Sequence, residues 1–366
     1  MGIRLRLGPI IGSLLVLVVG CSGSSSSSTP SSQAYKVAFV YNSARTTIGW
    51  SKAHDDGRLM VEQKLGSKVA TTYRENVPEG PQTEQVVESL IRDGNKMIFG
   101  TSFGFQDPFV NEAKKHPDVK FEVATGFQLA ANLAEYNGAS EDVDYLRGIA
   151  LAAASKNGKI GVVCSFPIPQ AIREINALLL GAQSVKPSVT AQVVWTNTFS
   201  DPAKERKAAE GLIAAGADTI AIVGVDNPTA GEAADAAGIK WVGYGSDEMS
   251  FGPNTWLTGL TYNWGPYYVD RVTAGINGTW KSGSYYGGFK DGIIALAPLG
   301  KSVSADTKNR MDQKRKELAA GSFYEFTGPL KDQSGTEMVP AGTRMTLDKV
   351  LTMDWFVQGV VGSPKG

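Results

Sequence analysis

The run Lys36-Val37-Ala38-Phe39-Val40-Tyr41, followed by the amphipathic stretch Trp50–Leu65 and then by Lys68–Arg74, reads as strand, helix and strand. The alternation continues outward. Lys96–Thr101 and Lys120–Ala124 are further strands, with helical patterns near Gln82–Arg92 and Asp107–Lys115. A second series repeats the scheme with strands at Lys159–Ser165, Thr190–Trp195, Thr219–Val225 and Ile239–Tyr244. Its helices fall near Val143–Ser155, Gln170–Gln183, Pro202–Ala215 and Thr229–Ala237. Strands alternating with helices predict parallel sheets covered on both faces. Two doubly wound α/β lobes with a cleft between them are therefore expected.

Composition narrows the function. The chain has 366 residues and balances 36 Lys+Arg against 36 Asp+Glu, so it lacks the electrostatic footprint of a nucleic-acid binder. Two cysteines, Cys21 and Cys164, and two histidines, His54 and His116, are too few for a disulfide scaffold or a multi-His metal centre. No metal or cofactor is expected.

The first residues carry an address. Met1–Gly20 reads as a secretory signal, with Arg4 and Arg6 ahead of the apolar run Ile10–Val19. That run is shorter than the about 20 apolar residues of a spanning helix. It ends in Val18-Val19-Gly20-Cys21, which resembles a bacterial lipobox. The resemblance implies cleavage before Cys21 and acylation of its thiol, which would tether the protein to the outer face of the cytoplasmic membrane. Residues 21–34 then form a flexible, Ser-rich tether. Cys164, next to Val162 and Val163, is expected to be an inert buried thiol.

In open α/β sheets ligands bind beyond the carboxyl ends of the strands. Here those positions hold Asn42, Ser102-Phe103-Gly104-Phe105, Phe166, Thr198-Phe199, Asp226-Asn227 and Ser246-Asp247. Aromatic faces with a few directional polar groups suit a flat heteroaromatic ligand. Catalytic signatures are missing: there is no G-x-S-x-G, no P-loop, and no dinucleotide fingerprint after the first strand. His54 reads as part of a solvated helix face and His116 as a surface turn. Asp55 and Asp56 are adjacent on a helix and cannot form a dyad, and Lys301–Glu317 reads as a charged, solvated helix.

Several segments together resemble the basic membrane lipoprotein family, the purine-nucleoside-receptor-like substrate-binding proteins of ABC transporters. They are His116-Pro117-Asp118-Val119-Lys120-Phe121, Glu141-Asp142-Val143-Asp144-Tyr145-Leu146-Arg147-Gly148, Phe199-Ser200-Asp201-Pro202-Ala203-Lys204 and Gly216-Ala217-Asp218-Thr219-Ile220. The resemblance implies the type I periplasmic-binding-protein fold, with two lobes joined by a hinge that the chain crosses several times. The expected lobes are 35–132 plus 254–300 and 133–253 plus 301–366. It also implies a monomer that works with separate permease and ATPase subunits and catalyses no reaction.

Thr101-Ser102-Phe103-Gly104-Phe105-Gln106-Asp107-Pro108 and Asn263-Trp264-Gly265-Pro266-Tyr267-Tyr268 resemble the branch associated with free adenine. So do Pro167-Ile168-Pro169 and Gly278-Thr279-Trp280-Lys281-Ser282. Nucleoside receptors of the family place a ribose-binding aspartate where Gly245 stands and a lysine where Tyr262 stands. By the resemblance Trp50 and Phe199 supply ring faces, while Asp226 and Asp247 accept from an amine or ring N–H. Asn42, Phe103, Phe105, Tyr262 and Trp264 complete the expected site. A free base, adenine first, is the leading reading. Because Glu141-Asp142-Val143-Asp144-Tyr145 is closer to the nucleoside receptors, nucleoside binding stays open, as does a sensory lipoprotein of the same fold.

Overall fold

The computed structural model describes residues 2, 34–45 and 48–366. The signal segment, Cys21 and the tether lie outside the described residues, apart from residues 2 and 34. From Ala34 the chain runs β1 (Tyr35–Val40), α1 (Trp50–Leu65), β2 (Val69–Arg74), α2 (Pro81–Arg92) and β3 (Met97–Gly100), then α3 (Gln106–Lys115), β4 (Lys120–Ala124) and β5 (Leu133–Gly138). It then builds α4 (Ser140–Ala154), β6 (Lys159–Cys164), α5 (Pro169–Gln183), β7 (Thr190–Trp195) and α6 (Pro202–Ala214). β8 (Thr219–Val223), α7 (Thr229–Ala236), β9 (Lys240–Gly243) and β10 (Trp256–Tyr262) follow. Next come α8 (Gly265–Ile276), β11 (Ser284–Gly287), β12 (Ile294–Leu296) and α9 (Ala305–Ala319). The C-terminal part adds β13 (Leu330–Lys331), β14 (Glu337–Val339), α10 (Leu347–Leu351) and β15 (Val360–Val361).

Two large sheets result, ordered β11-β5-β4-β3-β1-β2 and β12-β10-β9-β8-β6-β7-β15. Each is the core of one lobe. β1 sits inside the first, and Val37, Ala38, Phe39 and Val40 are wholly buried because helices cover both faces. Phe39 stacks on Phe99 of β3 at 4.8 Å. The second sheet buries Ile160, Val162, Val163 and Cys164 of β6 in the same way. Burial pushes the Cys164 thiol well above its usual range, so it stays protonated.

Sheet membership corrects the expected lobe boundaries in two places. β5, expected in the second lobe, pairs parallel with β4 in the first sheet, with Leu133 opposite Phe121. β10, expected in the first lobe, pairs with β9 in the second sheet. Residues 254–300 therefore divide: α8 packs on α1 and β11 pairs with β5, whereas β12 pairs with β10. The chain crosses between lobes after β5, after β10 and after β11. β12 runs antiparallel to β10, an exception to the all-parallel expectation.

α9 carries most of the charged sequence Lys301–Glu317, largely in water, and buries only Met311 and Leu318, as expected of a solvated face. His54 differs from expectation. α1 is wedged between the first sheet and α8, so His54 is fully buried, stacks on Trp264 at 5.0 Å, and meets the Tyr268 hydroxyl at 2.5 Å. Burial holds its imidazole well below the usual range, so it is neutral. Asp55 and Asp56 diverge as the helix dictates: Asp55 is buried against Arg58 at 2.6 Å, and Asp56 faces Lys52 in solvent.

Candidate functional site

The carboxyl ends of strands from both sheets converge on one cleft. Its lining includes Asn42 after β1, Ser102 and Phe103 after β3, and Thr125 after β4. From the second lobe come Ser165 after β6, Phe199 after β7, Gly224 and Asp226 after β8, and Tyr244 after β9. Trp50 opens α1, and Ile168, Gln170, Ala171 and Glu174 come from the start of α5. The space between them is narrow, about 30 Å³, and partly open to solvent.

Trp50 is fixed in place by its neighbours. Its indole Nε1 donates to the Thr101 carbonyl at 2.6 Å, and its ring packs edge-on against His54 at 4.4 Å and Tyr262 at 5.0 Å. Behind it, Tyr262 stacks on Trp264 at 5.2 Å. A ring fixed in this way loses little freedom when a ligand stacks on it. Phe199 is half-buried and packs against Phe166 at 4.7 Å. Phe103 is also half-buried and stacks on the exposed Phe127.

Asp226 clasps the two lobes together. Its Oδ1 accepts from the Trp50 amide at 2.5 Å, and its Oδ2 accepts from the Ser51 amide at 3.4 Å and from the Ser43 hydroxyl. A carboxylate from the second lobe thus caps the N-terminus of a first-lobe helix, where the peptide dipoles favour negative charge. Burial raises its pKa, while the Ser43, Trp50 and Ser51 donors oppose that rise. Beside it the Gly49 amide donates to the Ser246 hydroxyl at 2.9 Å. Gly245, at φ +82°, lies so close to α1 that a Cβ there would stand 2.8 Å from the Gly49 carbonyl carbon and 2.9 Å from the Trp50 nitrogen. These contacts define a closed state.

The structure brings Asn42, Trp50, Phe103, Phe199 and Asp226 together at the cleft. It does not bring Phe105 there: that ring is fully buried and packs on Phe109 in the first-lobe core. Asp247 is exposed and turned outward, accepting from the Met249 amide at 3.1 Å. Tyr262 and Trp264 form the layer behind Trp50, outside the lining. Sequence reasoning missed Gln170, Glu174, Ser165 and Thr125. The first two sit four residues apart on α5, a spacing that puts both on one face of the helix.

Glu174 is the more deeply buried of the two carboxyl groups that line the cleft. Its Oε1 accepts from Gln170 Nε2 at 2.9 Å and from the Tyr262 hydroxyl at 3.4 Å. Beneath it lie the buried pairs Asp144–Arg147 and Glu141–Arg173. Burial raises the Glu174 pKa, and the pull of Ser140, Arg173, Gln170 and Arg147 only partly offsets this. Glu88, Glu112 and His116 also bring ligand atoms within 4.8 Å of one another. That group lies on α2 and the end of α3, away from the cleft lining, and the Lys115 ammonium rests on Glu112 at 2.7 Å.

Two α/β lobes whose strand ends face one aromatic-lined cleft define the type I periplasmic-binding-protein fold. The chain belongs to the family of PnrA-like ABC transporter substrate-binding proteins, whose model matches residues 34–322. A purine-binding protein of Brucella abortus is 41% identical over 89% of this chain and 92% of its own. A Haloferax volcanii protein, named for glucose binding in an ABC transporter, is 35% identical over 89% of this chain and 80% of its own. A solute-binding protein of Aeropyrum pernix superposes with a TM-score of 0.68, covering 86% of this chain and 95% of its own at 17% identity. Members of this family are not enzymes; they act outside the cytoplasm with permease and ATPase subunits. No helix among the described residues is long and apolar enough to cross a membrane.

Proposed function

We propose that the protein captures a free purine base, adenine foremost, for an ABC importer while anchored to the membrane through acylated Cys21. The observation that carries the base reading is Gly245. Where nucleoside receptors offer an aspartate to ribose, this chain brings the backbone of Gly49 and Trp50 against Gly245. Tyr262, at the position of the ribose-binding lysine, is buried behind Trp50 and directed to Gln170 and Glu174. A buried sugar hydroxyl left without a partner costs roughly 1–3 kcal/mol. The Brucella abortus relative supports a purine, and the Haloferax volcanii relative makes a hexose the second reading.

Calorimetric titration of the wild-type protein with adenine, guanine, adenosine, guanosine and glucose tests the cargo, with adenine expected to bind most tightly. For the anchor, Cys21→Ser is expected to move the mature protein from the membrane fraction to the soluble fraction. Unchanged membrane retention would remove the lipobox reading.

A further inference from the structure

Three buried side-chain oxygens that line the cleft have no hydrogen-bond partner among the described residues: Thr125 Oγ1, Ser165 Oγ and Glu174 Oε2. Buried polar atoms are nearly always partnered, so a group of them around one cavity marks the polar outline of what the cavity receives. Thr125 adds an independent sign. It is β-branched yet sits at φ 58°, in the left-handed region such residues avoid. Its side chain lines the cleft.

Glu174 sets the direction of the hydrogen bonding. Gln170 Nε2 and the Tyr262 hydroxyl both donate to Oε1, which fills the acceptor sites of that oxygen. The proton of a neutral carboxyl must then sit on Oε2, the unpartnered oxygen. The groups around it are Ser140, Glu141, Asp144 and Arg147 of α4, Arg173 of α5, Tyr244 after β9, Tyr262 of β10 and Cys164 of β6. Arg147 pairs with Asp144 and Arg173 with Glu141, and among the described residues Glu174 has no ion pair, although both guanidinium charges act on it from a distance.

We infer that Glu174 is the specificity-determining residue of this site, donating an O–H from Oε2 to an unprotonated ring nitrogen of the cargo, with the Ser165 and Thr125 hydroxyls meeting other polar positions on its edge. This rests on the purine-base reading and narrows it to a heteroaromatic base that offers a ring-nitrogen acceptor. The assignment agrees with the upward push of burial on this carboxyl. Its sign follows: the donor is present while Glu174 is protonated and lost as pH rises through its raised pKa.

The test is adenine titration of wild type, Glu174→Gln and Glu174→Ala between about pH 5 and 9, a range in which adenine itself stays neutral. A glutamine keeps a carbonyl for Gln170 and Tyr262 and places an N–H donor where Oε2 stood. Glu174→Gln is expected to match wild type within about threefold at the acid end and to stay flatter with pH. Wild type should weaken about tenfold or more relative to it as pH rises. Glu174→Ala should bind at least tenfold more weakly; if it does not fold, the pH contrast between wild type and Glu174→Gln carries the test alone. Loss of tenfold or more in Glu174→Gln at every pH would overturn the inference, because it would mean an ionised Glu174 accepting from a cargo N–H. That outcome leaves the purine reading standing. Failure of wild type to bind any base at any pH overturns both.

Discussion

Gly245→Ala is expected to weaken adenine binding about 10- to 100-fold while leaving both lobes folded. The added Cβ meets backbone on two sides in the closed state, 2.8 Å from the Gly49 carbonyl carbon and 2.9 Å from the Trp50 nitrogen. Backbone at a helix N-terminus cannot rotate aside, so the lobes must part. Overpacking of this kind costs about 1–3 kcal/mol, and here the cost falls on the closed state alone. A smaller loss of overall stability, about 1–2 kcal/mol, follows from forcing φ +82° on a side-chain-bearing residue. Adenine and adenosine should weaken alike, because closure rather than ribose recognition is impaired. Adenine titration with unchanged affinity in this variant would show that Gly245 does not gate closure. The same geometry leaves no room for an aspartate at this position in the closed state.

Trp50→Ala is the second large effect. The indole both lines the cleft and closes the aromatic layer of Tyr262, Trp264 and His54. Loss of stacking on a base costs about 1–3 kcal/mol of affinity. Because Trp50 is only 9% exposed, the truncation should also cost stability, about 3–5 kcal/mol for a buried tryptophan. Phe199→Ala separates the two consequences: that ring is half-buried, so affinity should fall about 10-fold or more with little change in melting temperature. Wild-type affinity in both variants, measured by calorimetry, would remove these rings from the site.

The strand–helix alternation was legible because the central strands, buried on both faces, read as uninterrupted apolar runs such as Val37–Val40. β5 was hidden because Leu133-Ala134-Glu135-Tyr136-Asn137-Gly138 mixes polar residues into a buried strand; Glu135 and Asn137 are buried all the same. β10 and β12 belong to the returns through the hinge, where neighbours in sequence part company between lobes, and no local pattern reports that. In the site, the rule that ligands meet strand ends found Asn42, Phe103, Phe199 and Asp226. It could not say which side of a turn faces inward, so Phe105 and Asp247, each in a correct loop, turned to the core and to solvent. In the sequence Gln170 and Glu174 carry no signal beyond two polar residues on one face of a helix, and only the docking of α5 under the cleft buries them. The role of Asp226 as a clasp on α1 depends on two residues 176 positions apart meeting across the closed cleft.

The central claim is that the closed cleft holds a free purine base and excludes its sugar. Side-by-side calorimetric titration of the wild-type protein with adenine, guanine, adenosine, guanosine and glucose tests it most directly. The account predicts that adenine binds at least tenfold more tightly than adenosine, a difference of about 1.4 kcal/mol or more, and that glucose gives no measurable heat. Tighter binding of a nucleoside would contradict the free-base reading, and tight binding of glucose without any purine would contradict the cargo class altogether.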